Sequence, residues 1–180
     1  MAGPVAGHFA ERYRAELLDL PWTGEWDAIF LLDVLEHIPE HLHAMKQAFS
    51  ALRPGGLLCI TVPARDEFWS YNDDIAGHVR RYRKSSLRML GRKAGLRTIR
   101  DSYFMFLLGP LMQLSRKLTR PRGQKSPQEL REHLERTHRV PPSYINSILA
   151  SVFLLESRLI SRMEMPFGAS LLSIMARPDS

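Results

Sequence analysis

Apolar and polar positions divide the chain into runs of different period. Trp26-Asp27-Ala28-Ile29-Phe30-Leu31-Leu32 is apolar without alternation and ends at Asp33, the pattern of a strand covered on both faces of a parallel sheet. From Pro39-Glu40 the apolar positions Leu42, Met45, Phe49 and Leu52 recur at helical spacing, with His41, His43, Lys46, Gln47 and Ser50 on the other side. Pro54-Gly55-Gly56 is expected to stop that helix, and Leu57-Leu58-Cys59-Ile60-Thr61-Val62 reads as a second buried strand. The unit is β-α-β, with a crossover long enough to make its strands parallel.

Beyond Pro63 the chain to Lys84 shows neither period. A loop of roughly 20 residues that carries Asp66, Glu67, Trp69, Tyr71, Asp73, Asp74, His78, Arg80, Arg81 and Tyr82 is expected to be functional. Ser85 or Ser86 caps a helix with Leu87, Leu90 and Ala94 inward, Gly95 ends it, and Leu96 to Tyr103 is a strand. Gly109-Pro110 starts a helix through about Leu118, and Ser126-Pro127-Gln128-Glu129 caps another running to about Thr137. After Pro141-Pro142 an amphipathic helix places Ile145, Ile148, Leu149, Val152, Leu155, Leu159, Ile160 and Met163 on one face. Gly168 then precedes a last strand, Ala169 to Ala176. The expected organisation is a single α/β domain over 1–180, with 1–25 as an N-terminal remnant and 105–166 as a helical insertion before the last strand.

Length and composition agree with one soluble core: 180 residues, 44% hydrophobic and 24% charged. Cys59 is the single cysteine and lies in a strand pattern, which excludes a disulfide framework. With no basic segment leading into an apolar run at the start, a reducing, cytoplasmic setting is expected. The net charge of +6 favours an anionic partner. Arg116, Lys117, Arg120, Arg122 and Lys125 follow the Leu107–Leu118 segment, a combination compatible with an anionic membrane surface, although a solvated helix end is the favoured reading. Nucleic acid is disfavoured, because no aromatic residues interleave with that cluster.

The chemistry lies in Asp33-Val34-Leu35-Glu36-His37, two carboxylates and an imidazole just past the carboxyl end of a strand, where open α/β sheets bind ligands. Asp27 before the strand, this acid-and-imidazole turn, and Leu52-Arg53-Pro54-Gly55-Gly56 before the next strand resemble the fourth and fifth strands of class I S-adenosylmethionine-dependent methyltransferases. Trp69-Ser70-Tyr71-Asn72-Asp73 with Gly77-His78-Val79-Arg80-Arg81-Tyr82 is similar to a bacterial subgroup of that family. The resemblance covers about half the chain and implies a partial Rossmann-like sheet, mostly parallel, with the last strand antiparallel between the fifth and sixth. It implies S-adenosyl-L-methionine as cofactor, with Leu32, Asp33, Val34 and His37 near its methionine part and Glu16 nearest the place of the adenine acid. The family's preceding strand and Gly-x-Gly-like turn have no counterpart at Gly3, Gly7 or Gly24. The first apolar strand is thereby left as a sheet edge, so the chain is expected to be a fragment of a longer product or to self-associate through that edge.

Three readings of Asp33, Glu36 and His37 stay open at this level. They line the cofactor pocket; with His78 they bind a divalent cation such as Mg2+, an arrangement similar to that of small-RNA and ubiquinone-pathway methyltransferases; or the acids complement a helix dipole. His78 and His37 are the candidate bases, since methyl transfer to a hydroxyl requires removal of a proton. Trp69, Arg80, Arg81 and Tyr82 either hold the acceptor or brace the loop. The resemblance implies methyl transfer, here expected at oxygen of a small or lipid-linked acceptor. A catalytically silent interaction module on the same half-fold, or a membrane-surface protein acting through Leu107–Lys125, are the alternatives.

Overall fold

A computed structural model describes residues 16–110, 114 and 142–179. Its framework is a four-stranded sheet in the order β1-β2-β4-β3, where β1 is Trp26–Leu32, β2 Leu52–Pro63, β3 Arg97–Phe104 and β4 Ser170–Ala176. β1 and β2 are parallel, with Leu32 opposite Thr61, and β4 runs antiparallel between β2 and β3. The last strand thus takes the position that the family resemblance implied.

Helix α1, His41–Ala51, connects the parallel pair. Its buried face is Ala44, Met45, Ala48 and Ala51; Leu42 and Phe49, expected inside, are only partly covered. The helix ends at Ala51 rather than at the glycine pair, because Pro54 biases its neighbour Arg53 toward extended backbone and Leu52 is already extended. A residue far away in sequence seals this end. Arg177 donates to the carbonyls of Phe49, Ser50 and Leu52 at 3.1, 3.2 and 2.6 Å, and its guanidinium lies 4.6 Å over the Phe49 ring. Gly55, at φ +74°, brings the main chain back to pair with Arg177.

Leu58, Ile60 and Val62 on one side of β2 are fully buried, with Leu171 and Met175 of β4, in the core shared with α1 and helix α3, Lys84–Lys93. Gly91 of α3 lies so close that a Cβ there would stand 2.5 Å from Met175 Sδ. The other side of the sheet is open toward β1, where Phe30 is 65% and Leu32 57% exposed. The apolar run of β1 is therefore not covered on both faces. Among the described residues it is an edge strand, and an edge lacks the flanking neighbour whose side chains complete such cover.

Helix α4, Ser143–Arg162, packs on β3 through Leu159 and Ile160, while Ile145, Ile148 and Leu155 of the expected core face stay exposed. No described helix is long and apolar enough to cross a membrane. Of the helix expected from Gly109 to about Leu118, Gly109, Pro110 and Leu114 are described and are helical. The helix expected from Ser126 and the basic cluster Arg116–Lys125 lie outside the described residues.

The sheet order predicts two unequal truncations. Leu58→Ala in fully buried β2 should cost about 2–5 kcal/mol in urea unfolding, whereas Phe30→Ser on the open edge should change stability by less than about 0.5 kcal/mol. Comparable losses at both positions would show that the Phe30 side is covered in solution.

Candidate active site

β1 ends at Asp33, whose backbone adopts φ +52°, a left-handed conformation that aspartate tolerates better than most residues. Thr61 on β2 holds it there: the Asp33 N–H reaches the Thr61 carbonyl at 2.9 Å and its hydroxyl at 3.2 Å, and that hydroxyl donates to Asp33 Oδ1 at 3.3 Å. The chain turns sharply into a single 3-10 turn, Leu35–His37, in which Leu35 and Glu36 are fully buried and His37 is exposed.

The aromatic and charged loop returns to the same place. A parallel bridge between Ala64 and Tyr82 closes its base, and the Val79 N–H donates to the Glu36 carbonyl at 2.9 Å, tying the two loops together. Inside the loop lies a helix that periodicity did not reveal, α2, Tyr71–Ala76. Six residues are too few to display a period, but Ser70-x-x-Asp73 is a capping signal: Asp73 Oδ2 accepts the Ser70 N–H at 2.8 Å and the Ser70 hydroxyl at 3.1 Å. Gly77, at φ +74°, ends it.

Asp73 is the node of the site. Its 1%-exposed carboxylate also accepts Arg81 Nε at 2.9 Å, Arg81 Nη2 at 3.0 Å and His78 Nδ1 at 2.8 Å. Burial works to raise its pKa, yet the bonds from Arg81, His78 and Ser70 together hold the carboxyl below its usual range. An ionised carboxylate only accepts, so His78 Nδ1 carries a proton and Nε2 is left to face Glu36 Oε1 at 4.0 Å. The His37 and His78 rings meet edge to face at 4.8 Å between centroids.

Glu36 is the unusual member. Its carboxyl is fully buried and neither oxygen has a hydrogen-bond partner among the described residues. Burial pushes its pKa up to about 7; the charge of Asp33 adds to this, and His78 and Arg81 partly offset it. Glu36, His37 and His78 present ligand atoms within 4.8 Å of one another.

The remaining candidates fall into separate roles. Asp33, expected beside Glu36 as a ligand, instead bonds Thr61 and is not among those three side chains. Arg81 is buried, with its last donor on the Ala64 carbonyl at 3.0 Å, and Tyr82 is 2% exposed, with its hydroxyl donating to the Leu35 carbonyl at 3.2 Å and meeting His41 Nδ1 at 2.9 Å. Both therefore brace the loop rather than present themselves to an acceptor. Arg80 does the same, donating to the carbonyls of Ile38 and Pro39 at 3.0 and 3.1 Å. Trp69, 39% exposed and anchored through Nε1 to Asp74 Oδ1 at 2.9 Å, keeps an open ring face. Leu32 is exposed and Val34 half-buried at the strand end, and Glu16 sits in a tight turn paired with Asp19.

The raised Glu36 pKa has a definite sign. The folded state holds this proton more tightly than the unfolded chain, so stability falls as pH rises from about 4.5 to about 7 and is level above that, a loss of about 3 kcal/mol from this group. Urea unfolding across this range with a chelator present should show that fall in the wild type and its absence in Glu36→Gln. Parallel profiles would show that Glu36 titrates normally.

A family model described as a methyltransferase domain matches residues 6–100, 95 of the 180 residues. No curated protein matches the sequence. Among solved structures, the chain is similar to the Haloferax volcanii methyltransferase chain bound to its Trm112 activator, at 14% identity and TM-score 0.52, with 91% of this chain and 60% of that one covered. The [4+2]-cyclase SpnF gives 15% identity and TM-score 0.54, with 92% and 56% covered. A Bacillus halodurans C-125 protein assigned as a methyltransferase gives 15% and 0.51, with 92% and 70% covered. The chain thus spans less than two thirds of the length of the first two. With its antiparallel last strand and its family match together, the chain belongs to the S-adenosylmethionine-dependent methyltransferases and carries part of their class I sheet.

Proposed function

We propose that this chain provides the acceptor side of methyl transfer from S-adenosyl-L-methionine to a hydroxyl oxygen of a small or lipid-linked molecule. The strand end fits one side of such a cofactor. Leu32, Asp33 and His37 are exposed there and Val34 is half-buried, and because Thr61 already takes the Asp33 N–H, contact from Asp33 falls to its carbonyl and carboxylate. When bound, S-adenosylmethionine supplies an activated methyl group; this chain's residues have to orient the acceptor and take its proton.

The observation that carries the reading is the Asp73–His78 contact at 2.8 Å. A buried carboxylate fixes the imidazole with its proton on Nδ1, so Nε2 can accept the hydroxyl proton as the acceptor oxygen takes the methyl group. His78 keeps 17% of its side chain exposed, while Arg81 holds Asp73 from the other side. The exposed ring of Trp69 offers an apolar face on the same loop.

A second reading rests on the unpartnered oxygens of Glu36 beside His37 and His78. These three side chains would hold a divalent cation, which would supply Lewis acidity toward an acceptor hydroxyl. Two imidazoles and one carboxylate suit Mn2+ or Zn2+ better than the Mg2+ expected from the sequence, which prefers oxygen ligands.

S-adenosylhomocysteine titrated by calorimetry should bind wild type and His78→Gln alike, while incorporation of labelled methyl into a lipid and small-molecule extract should fall by about 100-fold or more in His78→Gln. No heat at millimolar ligand would favour a catalytically silent module, and equal incorporation would remove His78 as the base. For the cation, Mn2+ titrated into wild type and Glu36→Gln should bind measurably only to the wild type; matched weak binding would discard the second reading.

A further inference from the structure

The edge of the sheet opposite β1 carries a concavity of its own. Between α3 and β3 lies a cleft of roughly 630 Å³ whose walls include Ser85, Arg88, Arg92, Arg97, Thr98 and Arg100. Four guanidinium groups in one cleft would repel one another unless matched by negative charge. Two are engaged internally: Arg88 on the buried Asp101 carboxylate, and Arg100 on the Ile160 and Ser161 carbonyls at the end of α4. The other acid of the cleft, Glu164, stands 3.5 Å from Lys84 Nζ. Arg92 and Arg97 are exposed, and their guanidinium groups have no hydrogen bond or ion pair among the described residues.

Charge on an edge strand is one way of blocking unwanted pairing, and Arg97 suits that purpose. It does not account for Arg92, which projects from a helix into the same cleft, nor for the hydroxyls of Ser85 and Thr98 beside them. The cleft also includes Met89 and Ile99, large apolar side chains left 48% and 50% exposed. Two guanidinium groups without side-chain partners, two hydroxyl-bearing residues and an apolar surface lining one cleft suit an anionic head joined to an apolar body.

We propose that this cleft binds a phosphate ester, its oxygens between Arg92 and Arg97 and its apolar portion on Met89 and Ile99. The site stands on the outer edge of the sheet, away from the β1 turn that carries Glu36, and it does not depend on the methyl-transfer reading. A soluble phosphate ester and a lipid headgroup share this chemistry.

Calorimetry with octyl phosphate and with inorganic phosphate, and sedimentation with phosphatidylcholine vesicles with and without phosphatidic acid, separate the sources. Octyl phosphate should bind about tenfold or more tightly than inorganic phosphate, because its chain buries apolar surface. The double variant Arg92→Gln, Arg97→Gln should weaken binding at least about tenfold. Its urea midpoint and its affinity for S-adenosylhomocysteine should equal those of the wild type, because neither guanidinium has a partner among the described residues. Retention on phosphatidic acid vesicles that the variant loses assigns the lipid headgroup; binding of octyl phosphate without such retention assigns a soluble ester. Failure of every probe to bind, or unchanged affinity in the variant, overturns the proposal.

Discussion

Everything at the candidate site depends on one buried negative charge. Asp73 is removed from water, and a carboxylate in that position persists only if it is paired and hydrogen-bonded on both oxygens. Arg81 supplies the counter-charge, Ser70 caps the short helix onto it, and His78 completes the set. The same bonds that stabilise Asp73 therefore fold the loop, fix the orientation of the imidazole and set it beside Glu36. Structure and chemistry share one group here, so removing Asp73 would strip a buried arginine of its partner as well as releasing the histidine.

The sheet plays the complementary part by holding the acid-bearing turn. Thr61 on β2 pins Asp33, the left-handed residue that redirects the chain, and the fully buried Leu35 anchors the turn that follows. Glu36 is carried inward with Leu35 and lacks the bonds that Asp73 enjoys, which is why the two buried acids shift in opposite directions. A pair of acids with pKa values pushed apart around one imidazole is a recurrent property of sites that move protons.

Much of this framework was legible in the amino-acid pattern. The unbroken apolar run of β1, the β-α-β unit and the helix ending at Gly95 follow from period and punctuation, and the antiparallel place of the last strand from the family resemblance. The meeting of Glu36 with His78 was legible too, since both follow strands that end at one edge of a parallel sheet. Other features were hidden for identifiable reasons. The apolar run of β1 cannot itself report whether neighbours exist to cover it; its edge position follows from the missing counterpart of the family's preceding strand, not from its own pattern. Helix α2 is shorter than two turns, and Asp73 looked like one charge among many until its Ser70 cap was placed. Arg80, Arg81 and Tyr82 have the chemistry of binding residues, and only their burial and partners mark them as braces. The seal of Arg177 on α1 joins positions more than a hundred residues apart, beyond the reach of any local pattern.

The central claim, that a buried carboxylate dictates which nitrogen of His78 carries the proton, is tested most directly by long-range proton–nitrogen correlation spectra of histidine-labelled protein at alkaline pH, where the neutral ring is observed. The Asp73 contact requires the Nδ1-protonated form of His78 in the wild type, and a change of tautomer population when Asp73 is replaced by asparagine. A wild-type spectrum with the proton on Nε2 would contradict it.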